Sequence, residues 1–246
     1  MGLHGHTALV TGAAQGIGRA CAEELAARGA NLVIVDRNPE GLAEVSDLLV
    51  EKGTSVVSLP LDLTDRDKVR VEIGKLAEEV LVDILVNNAG FDRPGTVAKI
   101  DTEDMEAVLG IHITSAFLLI KLLLPGMKSA GWGRIISMSS IYGQIGAKGE
   151  TAYCTAKAAI IGMTKSVAKE VGKYGITVNA ILPGLTLTPA IKQFMADKYQ
   201  QEIIDDTPLG RAAQPREIAT VAAFLASSDA SYITGAGIPV SGGWGI

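Results

Sequence analysis

Three residues in the second half of the chain have the types and spacing of an acid/base centre. Tyr153 is followed by Lys157 four residues later and preceded by Ser140 thirteen residues earlier. Positions i and i+4 share one face of a helix, so we expect the Lys157 ammonium near the Tyr153 phenol. Ionising a tyrosine at pH 7 costs about 4 kcal/mol, which a nearby cation reduces. Tyr153 is therefore a candidate acid/base, and Ser140 a candidate hydrogen-bond partner of the reacting oxygen.

A glycine-rich turn near the start of the chain has the features of a phosphate-binding loop. Gly12, Gly16 and Gly18 follow the first apolar segment, with Gln15 and Ile17 between them. Glycines let the backbone approach a pyrophosphate closely, and the following helix offers free N–H groups and a positive dipole end. The spacing is GxxxGxG rather than GxGxxG. Such a turn alone can be purely structural, but its place between a strand and a helix favours dinucleotide binding.

Asp36 ends the second predicted strand, 18 residues after Gly18, where a carboxylate can accept hydrogen bonds from an adenosine ribose. A carboxylate at this place repels the 2′-phosphate of NADP, so NAD is the expected cofactor. Arg37 could grip that phosphate, which keeps NADP open as the lesser alternative. Asp62, after the third strand, is a candidate partner of the adenine amino group, with a helix N-cap as the alternative.

Two asparagines and a glycine, Asn87, Asn88 and Gly90, mark the end of the fourth predicted strand. Ligands of doubly wound sheets bind outside the carboxyl ends of the strands, so amide side chains at this edge are placed to meet one. A sharp turn of the chain would need the same residues. The motif gains its functional meaning from occurring together with the glycine turn and the acid/base centre.

Short apolar runs alternate with longer segments of helical period along the whole chain. The predicted strands are 8–10, 32–35, 55–59, 84–86, 135–138, 177–181 and 238–240, and the predicted helices are 16–28, 40–52, 66–79, 103–129, 152–173 and 216–226. This order predicts an α/β fold, a single-domain Rossmann-type doubly wound parallel sheet of about seven strands over residues 1–246, flanked by helices on both faces. We expect strands this apolar to be buried on both faces. The proline-bearing stretch 184–210 predicts a substrate lid.

Composition excludes several other classes of function. The 246 residues carry a net charge of −5, without the basic surplus of a nucleic-acid-binding protein. Cys21 and Cys154 lie far apart and match no metal-ligand spacing, so we expect no disulfide and no metal, as in a reducing cytoplasm. The most apolar stretch, 111–124, is interrupted by polar residues, so we expect no membrane span.

Taken together, these motifs resemble the short-chain dehydrogenase/reductase family, and the resemblance extends over residues 7–244. Further matching segments are 179–184, 233–235 and 241–243. The resemblance implies that Tyr153 is the general acid/base, that Ser140 positions the reacting oxygen, and that Lys157 binds the nicotinamide ribose and lowers the tyrosine pKa. It also implies cofactor contacts from a further set of residues: Ile17, Asn88, Pro183, Thr186 and Thr188. Such enzymes move a hydride between nicotinamide and a carbinol or carbonyl carbon without a metal.

One position departs from the family pattern. The family usually has an asparagine in the fourth helix that helps to hold a water on the proton path, and His112 stands there in this chain. We interpret His112 as occupying this tetrad-like position; its own titrating ring and a packed core histidine are the alternatives. A histidine at this position resembles the pattern of (3R)-hydroxyacyl dehydrogenases. The segments 90–93 and 140–143 resemble those of 3-oxoacyl reductases.

The predicted function is NAD-dependent hydride transfer between nicotinamide and a secondary alcohol or ketone, with 3-hydroxyacyl and 3-oxoacyl compounds as one substrate class. The alternative is a sugar, polyol or other small secondary alcohol, with Gln144 and Glu150 as hydroxyl partners. A catalytically silent NAD-sensing protein is the alternative from another class. The apolar excess of the helices 103–129 and 152–173 suits pairing between subunits, and the resemblance implies a homotetramer.

Overall fold

Seven short segments of the chain form one parallel sheet. They are β1 (Thr7–Thr11), β2 (Asn31–Asp36), β3 (Val56–Pro60), β4 (Ile84–Asn87), β5 (Gly133–Met138), β6 (Ile176–Pro183) and β7 (Gly237–Val240). Their order in the sheet is β3-β2-β1-β4-β5-β6-β7. The structure, a computed structural model, describes residues 2–245 except for the side chain of Phe194. The predicted Rossmann-type architecture is confirmed, with every strand end within two residues of its predicted place.

Helices cover both faces of the sheet. They are α1 (Gly16–Ala27), α2 (Pro39–Glu51), α3 (Arg66–Glu79), α4 (Thr102–Leu109), α5 (Ser115–Ala130), α6 (Tyr142–Ile145), α7 (Thr151–Val171), α8 (Pro189–Phe194), α9 (Asp197–Asp205) and α10 (Pro215–Leu225). Side-chain caps explain some starting points: Asn38 accepts from the Gly41 amide at α2, and Asp65 accepts from the Lys68 amide at α3.

The two largest apolar cores lie on opposite faces of the sheet. In β1, Ala8 and Val10 belong to one core and Leu9 to the other, as the two-residue period of a strand requires. The first core also receives residues from α1, α2 and α10, and the second receives residues from α3, α5 and α7. This double burial fixes the central strands and therefore the positions of the loops at their carboxyl ends.

The prediction that all strands are buried on both faces is wrong for the two edge strands. In β3, Val57 is 42% exposed, and β7 alternates between exposed and half-buried residues. Each of these strands has a neighbour on one side only, so helices cover it less completely. Their sequences remain apolar although their burial is not that of a central strand.

Two segments have a different helical structure from the one that their sequences predict. The expected helix 103–129 is a continuous helical segment, but a π-helical turn at Gly110–Thr114 separates α4 from α5. The stretch 184–210, expected as a lid, contains two helices, α8 and α9. The helical segment Thr102–Ala130 has the length and hydropathy of a membrane span, yet half of its most apolar window is buried inside the fold, as in a core helix.

Candidate active site

A cleft of about 450 Å³ lies at the carboxyl ends of the strands, where the strand order reverses between β1 and β4. It brings together all predicted site residues except Gly18: Gly12, Gln15, Gly16, Ile17, Asp36, Arg37, Asp62, Asn88, His112, Ser140, Tyr153, Lys157, Pro183, Thr186 and Thr188. We call the part between the glycine turn, Asp36 and Asp62 the cofactor half. We call the opposite part of the cleft the substrate half. Its wall is lined by Phe91, Asp92, Tyr142, Glu150, Met195, Ile203 and Trp244.

The glycine turn between β1 and α1 forms the floor of the cofactor half. Gly12 and Gly16 have φ angles of 66° and 59°, which a residue with a Cβ adopts only under strain. A Cβ at Gly18 would collide with the Gly12 carbonyl oxygen, so Gly18 packs helix against strand and does not line the cleft. A cofactor contact at Gly18 stays a prediction, and the observed role of this glycine is to let α1 pack closely against the glycine turn.

Asp36 holds a fixed orientation at the end of β2. Its two carboxylate oxygens accept hydrogen bonds from the Ala14 and Asn38 amides, both at 3.0 Å. The Ala14 amide belongs to the glycine turn, so the carboxylate is held against the floor of the cofactor half. A negative charge fixed at this place can recognise ribose hydroxyls and repel an added phosphate.

Asp62 forms a turn of its own rather than the helix cap considered above. Its Oδ1 accepts from the amide and the hydroxyl of Thr64, at 2.8 and 2.7 Å, while Asp65 caps α3. Burial acts to raise the pKa of Asp62, but the Thr64 hydrogen bonds and the nearby Arg37 and Lys68 lower it overall. Asp62 therefore presents a stable carboxylate to the cleft.

Asn88 ties the end of β4 to the glycine turn. Its amide nitrogen Nδ2 donates to the carbonyl oxygens of Thr11 at 2.9 Å and Gly12 at 3.3 Å. The hydroxyl of Thr11 in turn accepts from the backbone amides of Asn88 and Ala89. These bonds hold the two strand ends together on either side of the point where the strand order reverses.

Ser140, Tyr153 and Lys157 meet between the two halves. The Ser140 hydroxyl oxygen accepts from the Tyr142 amide at 3.1 Å, which leaves its proton available to another acceptor. The Lys157 ammonium is buried, donates to the Met138 carbonyl at 2.7 Å and lies 5.2 Å from the centre of the Tyr153 ring. The end of β5 and the first turns of α7 thus bring together residues that are 17 positions apart.

Burial is the largest influence on the ionisation of Tyr153 and Lys157. Burial raises the pKa of Tyr153, while the Ser140 hydroxyl acts to lower it. Burial lowers the pKa of Lys157 to about 7, against the opposing charge of Asp92. The lowering of the Tyr153 pKa by Lys157, which the family resemblance implies, stays a prediction. At neutral pH the Tyr153 phenol keeps its proton.

His112 lies in the π-helical turn and contacts both the loop after β4 and the predicted acid/base. Its Nε2 bonds to the Phe91 carbonyl at 2.9 Å, and its ring stands edge-on to Tyr153 with centres 5.7 Å apart. Burial and the nearby Lys157 lower its pKa to about 3, although the bond to Phe91 opposes this. The ring is neutral at physiological pH, so Nε2 carries the proton that Phe91 accepts. A Cβ at Gly90 would collide with this ring.

Thr186 and Thr188 connect the cofactor half with the beginning of the lid segment. The Thr188 hydroxyl accepts from the Ile191 amide and caps α8, and the Thr186 hydroxyl donates to the Gly184 carbonyl. The methyl group of Thr188 lies against Gly16, where a Cβ would come within 3.3 Å of it. The beginning of the lid segment therefore contacts the glycine turn itself.

The substrate half contains residues that the sequence did not reveal as site residues. They are Phe91, Asp92, Tyr142, Met195, Ile203 and Trp244. The rings of Tyr142 and Trp244 meet edge-on with centres 5.2 Å apart, which draws the C-terminal tail into the cleft wall. Of the two proposed hydroxyl partners, Glu150 lines the cleft and Gln144 is exposed outside it. The segments 90–93 and 140–143, already part of the family resemblance, were the available signals for Phe91, Asp92 and Tyr142.

The geometry defines a class before any comparison is made. The glycine turn leaves space for a pyrophosphate where side chains would block it. The fixed Asp36 carboxylate beside it fits the ribose of the same dinucleotide. The adjoining serine, tyrosine and lysine fit proton transfer to or from an oxygen next to that dinucleotide. The site is that of a Rossmann-type oxidoreductase with a nicotinamide cofactor.

Comparison with known proteins gives the family. A family model described as enoyl-(acyl carrier protein) reductase matches residues 12–245. The chain is 38% identical over 242 residues to the 3-oxoacyl-[acyl-carrier-protein] reductase FabG of Haemophilus influenzae, covering 98% of both chains. It belongs to the short-chain dehydrogenase/reductase family.

Solved structures of relatives have the same fold. A proposed NAD(P)-dependent gluconate 5-dehydrogenase from Beutenbergia cavernae, with NADP bound at low occupancy, gives a TM-score of 0.95 at 34% identity and covers 99% of this chain and 98% of that one. A 3-oxoacyl-[acyl-carrier protein] reductase from Brucella melitensis with bound NAD gives 0.92 at 33% identity, covering 99% and 92%. These relatives differ in the dinucleotide they carry and in the substrate they are described with.

Proposed function

We propose that this protein is an NAD(H)-dependent oxidoreductase that interconverts 3-oxoacyl and 3-hydroxyacyl thioesters. The observation that carries the proposal is the meeting of Ser140, Tyr153 and Lys157 between a cofactor half that holds Asp36 and a substrate half rich in apolar side chains. The similarity to 3-oxoacyl reductases over almost the whole chain supports the same substrate class.

The protein's own residues would supply the proton chemistry. Nicotinamide, when bound, supplies or accepts the hydride. Tyr153 keeps its proton at neutral pH because burial raises its pKa, so it can donate that proton to the oxygen of a carbonyl that is being reduced. The Ser140 O–H, which acts on the Tyr153 phenol, can hold the same oxygen. Lys157, positioned by the Met138 carbonyl, is placed to bind the nicotinamide ribose and to return a proton to the tyrosine.

Asp36 supports NAD as the preferred cofactor. Its carboxylate is fixed by two backbone amides, so it cannot swing away from an added 2′-phosphate. Arg37 lies in the same cleft beside Asp62, whose pKa it helps to lower. The charge of Arg37 acts on Asp62, and Arg37 directly follows Asp36, so two carboxylates offset its charge and we expect the repulsion of Asp36 to dominate.

The substrate half favours an acyl group over a sugar. Phe91, Met195, Ile203 and Trp244 line it, and their side chains bury hydrocarbon without offering partners to a row of hydroxyl groups. The alternative, a sugar acid or polyol, is supported by the gluconate 5-dehydrogenase neighbour and by Glu150 in the cleft wall. A catalytically silent NAD-binding protein would not need the three polar side chains between the halves.

Assembly as a cytoplasmic homotetramer is also part of the proposal. Phe117 on α5 is 53% exposed in the single chain, and both cysteines are free thiols, as a reducing compartment requires. Light scattering on the purified protein should give a mass near four times 25.6 kDa. A monomer at micromolar concentration would contradict the assembly without affecting the proposed chemistry.

A substrate and cofactor panel tests the proposed reaction. With NADH as cofactor, we expect kcat/KM for the acetoacetyl thioester of N-acetylcysteamine to be at least about 10-fold higher than kcat/KM for 5-ketogluconate. With the thioester as substrate, we expect kcat/KM to be higher with NADH than with NADPH. Turnover of 5-ketogluconate alone would establish the sugar-acid alternative. Tight NADH binding with no turnover of any carbonyl compound would establish the silent binding protein.

A further inference from the structure

The residues after β7 cross the rim of the substrate half, and we call residues 240–245 the tail. The tail leaves β7 at Val240, whose carbonyl accepts from the Gly184 amide, directly after β6, at 3.0 Å. Two residues later the Gly242 carbonyl accepts from the Leu209 amide, at the end of the lid segment, at 3.1 Å. These two bonds fix the path of the tail from the sheet to the lid segment.

Glycines let the tail lie against its neighbours with no side chain between them. A Cβ at Gly243 would come within 2.7 Å of Pro208, at the end of the lid segment. A Cβ at Gly245 would come within 2.6 Å of Ile141, the residue before α6. Both glycines have positive φ angles, 94° and 77°, which a residue with a Cβ adopts only under strain. The tail therefore spans from the lid segment to α6, with Trp244 between the two glycines.

The indole of Trp244 occupies the corner between α6 and the lid segment. Trp244 lines the cleft and is half-buried, and its ring meets that of Tyr142 edge-on with centres 5.2 Å apart. Its amide donates to the Ser241 carbonyl at 3.1 Å, which holds the backbone in a turn. Because the tail is held on both sides, the indole cannot leave the corner unless the lid segment or α6 moves as well.

This corner adjoins the reacting centre. Tyr142 lies two residues after Ser140, and its amide donates to the Ser140 hydroxyl oxygen at 3.1 Å. The helix α6 is itself packed on α7, because a Cβ at Gly143 would come within 2.6 Å of the Lys157 carbonyl carbon. A substituent that extends past Ser140 on this side of the cleft therefore meets Tyr142 first and Trp244 next.

We propose that Trp244 is a specificity-determining residue that limits the length of the acyl chain beyond the reacting carbonyl. The inference rests on the proposed function and narrows its substrate class to short-chain 3-oxoacyl thioesters. A short chain fits in front of the indole and buries apolar surface against it, whereas a longer chain must displace a ring that is packed on two sides. Removal of the indole opens the corner between α6 and the lid segment to the longer chain.

The test compares two thioesters of N-acetylcysteamine, acetoacetyl and 3-oxooctanoyl, which differ only in the length of the acyl chain. The variants are Trp244→Ala and Trp244→Phe, with Tyr232→Ala, at a fully exposed ring, as the matched control. Gly245→Ala keeps the indole but inserts a methyl group between the tail and Ile141. The readouts are kcat/KM with NADH and the dissociation constant of each thioester from the enzyme–NAD⁺ complex, which lacks the hydride and cannot turn over.

The wild type should prefer the acetoacetyl thioester by at least about 10-fold in kcat/KM. Trp244→Ala should reduce that preference by at least about 10-fold through tighter binding of the 3-oxooctanoyl thioester, since a methylene group that gains a place in an apolar pocket is worth about 10-fold or more. Trp244→Phe should lie between the two. Gly245→Ala should shift the preference in the same direction by a smaller factor, and the control should match the wild type.

Three outcomes would count against the length limit. An unchanged preference in folded, thioester-active Trp244→Ala and Gly245→Ala enzymes would overturn it and leave the proposed function intact. A loss of activity in Trp244→Ala with the longer thioester alone would also overturn it, because the indole would then be a contact that long chains need. Wild-type enzyme that reduces 5-ketogluconate and neither thioester would overturn both the length limit and the proposed substrate class.

Discussion

The two halves of the cleft are built from different parts of the chain. The cofactor half is largely backbone: a glycine turn, strand ends and one carboxylate fixed by two backbone amides. The substrate half is made of side chains from segments far apart in sequence, with Phe91 after β4, Glu150 before α7, Met195 and Ile203 in the lid segment, and Trp244 in the tail.

This difference shows how one fold can keep its cofactor and change its substrate. Backbone geometry in the cofactor half depends on a few glycines and hydrogen-bonded turns, so substitutions elsewhere leave it intact. The substrate half changes whenever one contributing loop changes, because no single element builds it. Tyr153 and Lys157 lie on α7 and Ser140 lies two residues after β5, so a rigid strand and a rigid helix position the acid/base residues between the halves.

The substitution with the largest expected effect on kcat is at Tyr153, between the two halves. Tyr153→Phe removes the proton donor while keeping the ring that packs edge-on against His112, so kcat should fall by about 10³-fold. NADH affinity, measured by fluorescence, should change by less than about 3-fold. Tyr232→Phe, at a fully exposed tyrosine, is the matched control and should behave as wild type. Retention of most of kcat in Tyr153→Phe would assign the proton transfer to another group.

A second substitution tests whether the cofactor half depends on backbone packing. Gly18→Ala places a methyl group against the Gly12 carbonyl, which forces the glycine turn to move. We expect NADH affinity to fall by at least about 30-fold, with a lower melting temperature. Gly74→Ala on α3 meets no atom within 4 Å and should keep both wild-type values or gain slightly in stability. Equal effects of the two substitutions would contradict the proposed role of the turn.

Asp36→Ala should act on cofactor choice more than on catalysis. Removing the fixed carboxylate abolishes the repulsion of a 2′-phosphate, so the ratio of kcat/KM for NADH over NADPH should fall by about 10-fold or more. Asp47→Ala on the exposed side of α2 removes the same charge farther along the chain and should leave the ratio unchanged. A wild-type preference for NADPH would reverse our interpretation of Asp36.

His112 is expected to give the smallest effect of this series. His112→Asn should keep activity within about 5-fold of wild type, and His112→Leu should do worse because it leaves the Phe91 carbonyl unpaired. Any limb near neutral pH in the wild-type kcat profile should persist in His112→Asn, since the pKa of the ring is about 3 and Lys157 is the group with a pKa of about 7. A limb that His112→Asn abolishes would make the ring a proton relay.

The same pKa gives a stability test with a definite sign. The unfolded chain binds a proton on His112 near pH 6.5, and the folded chain binds it only near pH 3. The contribution of His112 to the free energy of unfolding should therefore fall as pH decreases through this window. The free energy of unfolding, measured by denaturant titration, should fall more steeply between pH 6.5 and 3 for wild type than for His112→Asn. Parallel curves for the two proteins would mean that His112 titrates normally.

The comparison of the halves also explains how much the sequence could predict. The glycine turn, Asp36 and the strand ends were predictable because local backbone requirements limit which residues can stand there. Tyr153 and Lys157 were predictable because helical spacing places them on one face. Trp244 and Met195 carry no such local signal, since only the folded loops bring them to the cleft.

Two physical effects beyond local pattern account for the other differences. Apolar edge strands such as β3 look like central strands in sequence, because hydrophobicity does not record the number of neighbours. The π-helical turn at Gly110–Thr114 lies inside a segment of ordinary helical period, so the pattern predicts an uninterrupted helix. Ionisation is likewise a tertiary property, as the lowered pKa of Lys157 shows.

The most direct test of the account follows one deuterium atom. NADH deuterated at both C4 positions is mixed with enzyme and equal amounts of acetoacetyl and crotonyl thioesters, and the products are examined by mass spectrometry and NMR. The account predicts deuterium at C3 of a 3-hydroxybutyryl thioester, formed by wild type and not detectably by Tyr153→Phe. Deuterated butyryl thioester, formed by reduction of the carbon–carbon double bond, would contradict it.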